Sequence, residues 1–266
     1  MEVEEIDLKQ AVEILSGRHW PTKETTPKKR DKKADRSTWP DFEKGTEAEL
    51  QALSELRRIN IQGLRLATND GFLRFADYQG HRCWISTDYV RVAASARRLD
   101  GGTLDTPNGP AKAKDLYGSE KANHPLNVRD VGDWPVLICE GAPDALTLYH
   151  YIAEAHNMRF CIWCFLGGSS GRNLPEKVLR CLKPGPATKF RPAREKARRV
   201  RVYEDTGEAG KVAAERWAEQ CANAGCETDI FDFEGLRKED GSLVTDLNDT
   251  RWIHPDDRHQ LEGLLP

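Results

Sequence analysis

The chain has 266 residues, of which 31% are charged and 38% hydrophobic, with a formal net charge of −3. That length can bury a core in one large or two modest domains, and the near-balanced charge excludes a globally basic nucleic-acid binder, leaving any polyanion site to local patterning. No apolar run approaches the ~20 residues of a membrane span. The acidic start, Met1 to Asp7, lacks a signal peptide's basic and apolar regions, and seven cysteines fall in no regular framework, so a cytoplasmic protein with reduced thiols and no membrane partner is expected.

Ile6, Ala11, Ile14 and Leu15 predict a short amphipathic helix over Ile6–Leu15. Pro21–Trp39 is nearly free of aliphatics and reads as a charged flexible linker. Its Lys28-Lys29-Arg30 and Lys32-Lys33 are solvated or touch a phosphate backbone. Residues 1–45 thus form a charged, partly flexible segment. Thr46-x-x-Glu49 is a capping box that opens a helix over Glu47–Arg58 carrying Leu50, Leu53 and Leu56.

Gly63–Phe75, Arg82–Ile85 and Tyr89–Ala94 read as short strands, broken at Asn69-Asp70-Gly71, Gln79-Gly80 and Gly101-Gly102, the first of these a hairpin signal. Residues 46–130 therefore make a small α+β, β-rich subdomain. Between Arg57 and Arg129 basic residues outnumber acidic ones by twelve to seven, which suits a nucleic-acid-facing surface. Phe72, Phe75, Tyr78, Trp84, Tyr89 and Tyr117 lie among these charges, as core residues or as rings that stack on single-stranded bases.

Val136-Leu-Ile-Cys139 is a continuous apolar run, the pattern of a strand buried on both faces. Glu140 stands at its carboxyl end, Gly141 permits a tight turn and Pro143 opens a helix that runs on to His156. Phe160–Leu166 is a second parallel strand. Cys161 and Cys164 sit three apart on it and point to opposite faces, so no zinc site is expected. The loop Gly167-Gly168-Ser-Ser-Gly-Arg172 offers backbone N–H groups and a cation to a phosphate.

Asn173–Leu182 is a short helix. Lys183–Arg201 is a basic block interrupted only by Glu195, and includes Arg194, Arg198 and Arg199; beside an acid cluster it suits a polyanion. Arg199–Tyr203 is a strand, followed by Glu204-Asp205-Thr-Gly-Glu-Ala-Gly210 and a helix over Lys211–Ala222. Glu227–Phe233 is a fourth strand. Thr245-Asp246-Leu-Asn-Asp249 supplies more acids at a turn, and His254–Leu265 closes as a helical tail. Strand–acid–helix units at one sheet edge suit a hard divalent cation.

Glu140-Gly-x-x-Asp144-Ala-Leu, Asp205-x-x-x-Ala-Gly210 and Asp246-Leu-Asn-Asp249 together resemble the TOPRIM domain of bacterial and phage primases, a domain shared with topoisomerases and some nucleases. The resemblance spans Asp133–Asp249. It implies an α/β, Rossmann-like TOPRIM domain with a central parallel sheet over residues 131–266, preceded by a primase-like small subdomain. Arg97-Arg98, Lys112, Lys114 and Leu116 to Lys121 resemble that subdomain, whose basic surface leads to the catalytic strand.

By this resemblance Glu140 and Asp205 are catalytic, and Glu140, Asp205, Asp246 and Asp249 hold Mg²⁺ or Mn²⁺. Phosphates would fall to Arg97, Arg98, Lys112, Lys114, Gly167, Gly168, Arg172, Arg194, Arg198 and Arg199; Gly141, Asp144 and Gly210 shape the turns. Gly207 departs from the family's Asp-x-Asp pattern, with Glu204 or Glu208 as substitutes for the missing acid. The function implied is primer synthesis on single-stranded DNA from nucleoside triphosphates, with a nuclease or a non-catalytic nucleic-acid-binding module as alternatives. With no helicase P-loop in the chain, a separate helicase or zinc-domain protein is an expected partner.

Overall fold

The computed structural model describes residues 38–120, 125–128, 133–156, 159–166, 173–186, 193 and 195–266. The expected helix at Ile6–Leu15, most of the charged linker and the Gly167–Arg172 loop lie outside them. Residues from Asp35 onward form one unit by their contacts.

A capping box forms as expected. The Thr46 hydroxyl accepts from the Glu49 N–H and the Glu49 carboxylate accepts from the Thr46 N–H, which starts helix α1 (Glu47–Arg57). Helix α2 (Ile61–Asn69) then stands where a strand was expected. The Asn60 side chain caps it, accepting from the Gln62 N–H at 2.8 Å, and Gly63, Leu64, Ala67 and Thr68 make one buried stripe at helical spacing. Gly63 looked like a strand residue, yet it is where α2 meets the next long helix: a Cβ there would lie 2.8 Å from the His150 Cα.

The Asn69-Asp70-Gly71 turn therefore ends a helix and does not join two strands. The hairpin turn is Gln79-Gly80, both with positive φ (53° and 74°), the geometry that matches strand twist in a two-residue loop. It connects β1 (Leu73–Tyr78) to β2 (His81–Ser86). Tyr89–Ala94 is a loop and not a strand, with Arg91 at φ 52°; β3 begins after it (Ser95–Arg98) and pairs with β2 and with β6 (Lys114–Asp115). The antiparallel sheet has the order β1-β2-β3-β6, and β4 (Leu104–Thr106) pairs with β5 (Gly109–Ala111) beside it.

The second sheet is wholly parallel, in the order β10-β9-β7-β8. Its strands are β7 (Val136–Glu140), β8 (Cys161–Phe165), β9 (Val200–Tyr203) and β10 (Thr228–Phe231). Side-chain alternation divides β7 between two cores. Leu137 and Cys139 face helix α3 (Ala142–Glu154), α2 and the small subdomain. Val136 and Ile138 face helix α5 (Glu208–Asn223) and the short α4 (Glu176–Leu179), where Phe165 stacks on Trp217 at 4.3 Å.

The expected face-splitting of Cys161 and Cys164 follows the same rule: Cys161 joins the α5 core and Cys164 the α3 core. The seven cysteines form no disulfide, and six are buried. The predicted helix over Asn173–Leu182 shrinks to α4, and the closing helix expected over His254–Leu265 is a 3₁₀ segment, Pro255–Leu261, opened by Pro255 and preceded by another at Asn248–Trp252. Among the described residues no helix is long and apolar enough to cross a membrane.

Candidate functional site

The strand order creates the site. From β7 the chain passes to β8 on one side, and β9 returns on the other, so the carboxyl ends of β7 and β9 flank a topological switch point, where open α/β sheets leave a crevice. Glu140 is the last residue of β7, and Asp205 follows the end of β9 by two residues. Gly141, at φ 92°, turns the chain sharply into α3, and its N–H donates to the Phe165 carbonyl at 2.7 Å. Gly210 sits so close to Asp205 that a Cβ would lie 2.4 Å from the Asp205 carbonyl oxygen. Only glycine lets α5 start against that loop.

A third carboxylate arrives from the far end of the chain. The Thr206 N–H donates to the Thr245 carbonyl at 2.9 Å, tying the loop after β9 to the 245–249 segment. Asp144, 5% exposed in the first turn of α3, accepts from the Asn248 N–H at 2.8 Å. Asp246 Oδ1 accepts from the Asp249 N–H at 2.8 Å. These bonds hold Asp246 beside Asp205 and Asp144.

Burial is the largest influence on these carboxyls, and mutual repulsion adds to it. Burial first, then Asp246, Glu140 and Glu204, push the Asp205 carboxyl up to about 7. Burial, then Asp246 and Asp205, hold Asp144 well above the carboxylate range. Burial also raises Asp246, against the pull of the Asp249 N–H bond, which lowers it. Carboxylates whose protons are this hard to remove make a place prepared for positive charge.

Part of that charge comes from the small subdomain. Burial lowers the Arg57 guanidinium while Asp144 and Asp246 pull it back up. Arg97 is lowered by burial and by Arg57, and raised by Asp144. Both guanidinium groups lie over the buried Trp84 ring, at 5.9 and 5.8 Å from its centroid. Arg97 was anticipated and Arg57 was not. The signal was there: Arg57 falls three and seven residues after Ser54 and Leu50, on the stripe that buries Leu50 and Leu53, an unusual place for a cation.

The remaining anticipated residues are dispersed. The Asp249 carboxylate accepts from the Thr245 N–H (3.1 Å) and hydroxyl (2.9 Å) and pairs with Lys238 at 3.1 Å, so it shapes the turn. Glu204, an alternative for the missing acid, is buried on the α5 side, 3.8 Å from Lys211. Gly207 caps α5 at φ −73° in open space. Arg98 is engaged by Asp100. Lys112 and Lys114 donate to the Gly101 and Asp105 carbonyls, each at 2.5 Å.

Of the basic block, the described Arg198 and Arg199 lie away from the acids. Arg198 is 1% exposed and donates to the Trp134 carbonyl at 2.6 Å. Arg199 faces Asp229 and Glu227. Both precede β9, whose four residues rise roughly 13 Å toward the acids, so they stand at the opposite edge of the sheet. Gly167, Gly168, Arg172 and Arg194 lie outside the described residues.

Among the described residues no three His, Cys, Asp or Glu side chains converge as ligands to one metal ion. The donor set at the crevice is all oxygen, however, and Mg²⁺ is commonly held by one or two carboxylates plus substrate phosphates rather than by an all-protein cage. Glu140, Asp205 and Asp246 fit that mode of binding.

The sequence matches no protein-family model and no curated protein. Among solved structures the chain is similar, at 14% identity and a TM-score of 0.40, to a chain of a bacteriophage T7 complex. In that complex the lagging-strand DNA polymerase interacts with primase domains of two gp4 subunits bound to an RNA/DNA hybrid and dTTP. The match covers 78% of this chain and 87% of that one. A likeness of this size leaves function to be argued from the crevice itself.

Proposed function

We propose that this chain is a TOPRIM-type, primase-like protein that joins nucleotides into short primers on single-stranded DNA, using nucleoside triphosphates and Mg²⁺ or Mn²⁺. The observation that carries the reading is that Asp205, at the switch point of the β10-β9-β7-β8 sheet, lies within electrostatic reach of both Asp246 and Glu140, its carboxyl pushed up to about 7 by burial and by these acids. Phosphoryl transfer needs charge neutralised at the attacking and leaving oxygens, which is what an ion held there would supply.

Glu140 and Asp205 are the carboxylates that would hold the ion, with Asp246 beside them. Asp205, pushed up to about 7 by burial and by its acidic neighbours, would release a proton as positive charge arrives. Asp144 fixes the Asn248 backbone and so sets where Asp246 stands. Arg57 and Arg97 place positive charge on the side of the crevice facing Asp144, where a nucleotide's phosphates would otherwise meet only acids.

The test is synthesis of labelled products on single-stranded DNA with Mg²⁺ or Mn²⁺, with Glu140→Gln as control. Short products that vanish in the variant support the reading. Strand scission without incorporation identifies a nuclease using the same acids. A specific observation favours a third outcome: Gly207 stands where the family has an acid, and no three ligands are preassembled. DNA binding that survives Glu140→Gln, with no turnover by either protein, would assign the chain as a binding module.

A further inference from the structure

Of the six aromatic residues interleaved with charge in the small subdomain, the fold buries Phe72, Phe75 and Trp84 completely. It leaves Tyr89 and Tyr117 67% and 74% exposed. The two belong to neighbouring loops stitched together by backbone bonds, Leu116 N–H to Ala94 O at 2.9 Å and Glu120 N–H to Val92 O at 3.0 Å. Ser119 adds a side-chain bond to the Ala94 N–H at 3.1 Å.

Tyr89 is held in place although it is exposed. Its hydroxyl donates to the Asn69 carbonyl at 2.7 Å, and its ring rests on Gly71, where a Cβ would come within 3.0 Å of ring carbons. Gly71 has φ 79°, so glycine both makes the turn and leaves room for the ring. Arg74 is within electrostatic reach of Tyr89 and of Arg91. Arg74 is anchored on the Thr68 and Leu73 carbonyls, and Arg91 lies 5.0 Å from the Phe42 ring centroid. Asp88, next to Tyr89 in sequence, is buried, and Glu120 is the exposed acid on the neighbouring loop.

A tethered, exposed ring with Arg74 in reach and Arg91 two residues along its loop, and a second exposed ring on the neighbouring loop, has the chemistry of a base-stacking platform: π-faces for the bases, and cations for the phosphates between them. We propose that Tyr89 and Tyr117, with Arg74 and Arg91, form a stacking site for single-stranded nucleic acid, apart from the carboxylate crevice. This rests on the nucleic-acid reading above but not on catalysis.

The experiment compares fluorescence anisotropy on a labelled oligo-dT with that on an abasic oligomer carrying the same number of phosphates. Tyr89→Ala and Tyr117→Ala should each weaken oligo-dT binding by roughly 5- to 150-fold and leave the abasic oligomer unchanged. Tyr89→Phe, which keeps the ring and loses only the hydroxyl bond, should retain binding. Equal loss on both oligomers, or no loss on either, overturns the proposal, as does a wild-type chain that binds neither. Self-association abolished by Tyr89→Ala, with oligomer binding intact, would assign the surface to a second copy of the chain and also overturn it. Absent primer synthesis with the dT-specific loss intact would sink the catalytic reading alone.

Discussion

Asp205→Asn tests the charge logic of the crevice without any substrate. In the folded chain the Asp205 carboxyl sits at about 7 against an ordinary 3.8. That gap corresponds to a cost of about 4 kcal/mol for ionising it in place. The sign follows from proton binding. Between the two values the folded state holds more proton than the unfolded state, so stability falls as pH rises through this window and levels off above about 7. Below about 4 the group contributes nothing.

The side chain is half-buried, and water at its open side screens part of the repulsion, so about half of that ceiling, ~2 kcal/mol, is the expected gain for the variant at pH 8. For a chain of this size that is roughly 4 to 8 °C in Tm. Thermal unfolding followed by circular dichroism at pH 5, 6.5 and 8 should show Asp205→Asn drawing progressively ahead of wild type. In the proposed metal site, Mg²⁺ should close the gap by stabilising wild type and not the variant. A gap that is constant across pH, or a variant less stable at pH 8, would refute the assignment of Asp205 to a repulsive carboxylate cluster.

His150 should show the opposite slope. Burial, with Arg251 nearby, pushes it down to about 3, its Nδ1 accepts the Asn60 N–H at 2.7 Å, and Nε2 faces Glu154 at 3.1 Å. Its contribution is complete above pH 6.5 and lost as pH falls toward 3, so its ring protons should not titrate above pH 5 by NMR, and His150→Phe should cost about 1–3 kcal/mol through the orphaned Asn60 N–H. Gly210→Ala drives a methyl into the Asp205 carbonyl and should cost about 2 kcal/mol or more, read by urea unfolding. Gly207→Asp meets open space at an ordinary backbone angle; it should change stability by less than about 1 kcal/mol without metal and make the Tm more responsive to Mg²⁺.

The parallel half of the fold was legible because its signals are local and redundant. Val136 to Cys139 are apolar without interruption, an acid closes the strand, and Gly141 and Pro143 start a helix. The small subdomain was harder. Gly63 and the β-branched and aromatic residues near it suggested strands, and nothing local reveals that Gly63 exists to let α2 approach His150, a residue 87 positions later. Asn60 as a helix cap, with Leu64 and Ala67 one turn apart, was the competing signal, and tertiary packing decided in its favour.

The same distinction explains the charges. A run such as Lys183–Arg201 is conspicuous in sequence, but a strand has two ends, and Arg198 and Arg199, just ahead of β9, stand at its amino edge, where they serve Trp134 and Asp229. The cations that face the acids come singly, Arg57 from the last turn of α1 and Arg97 from β3, and both lean on Trp84 from β2. Arg57 stands out only by its place on the buried stripe of α1 and Arg97 by its neighbour Arg98; the packing of the small subdomain makes them a pair. The carboxylates of the parallel sheet and their countercharge therefore belong to different halves of one core. Loosening the contact between α2 and α3 should weaken the crevice's charge balance even though every acid stays in place.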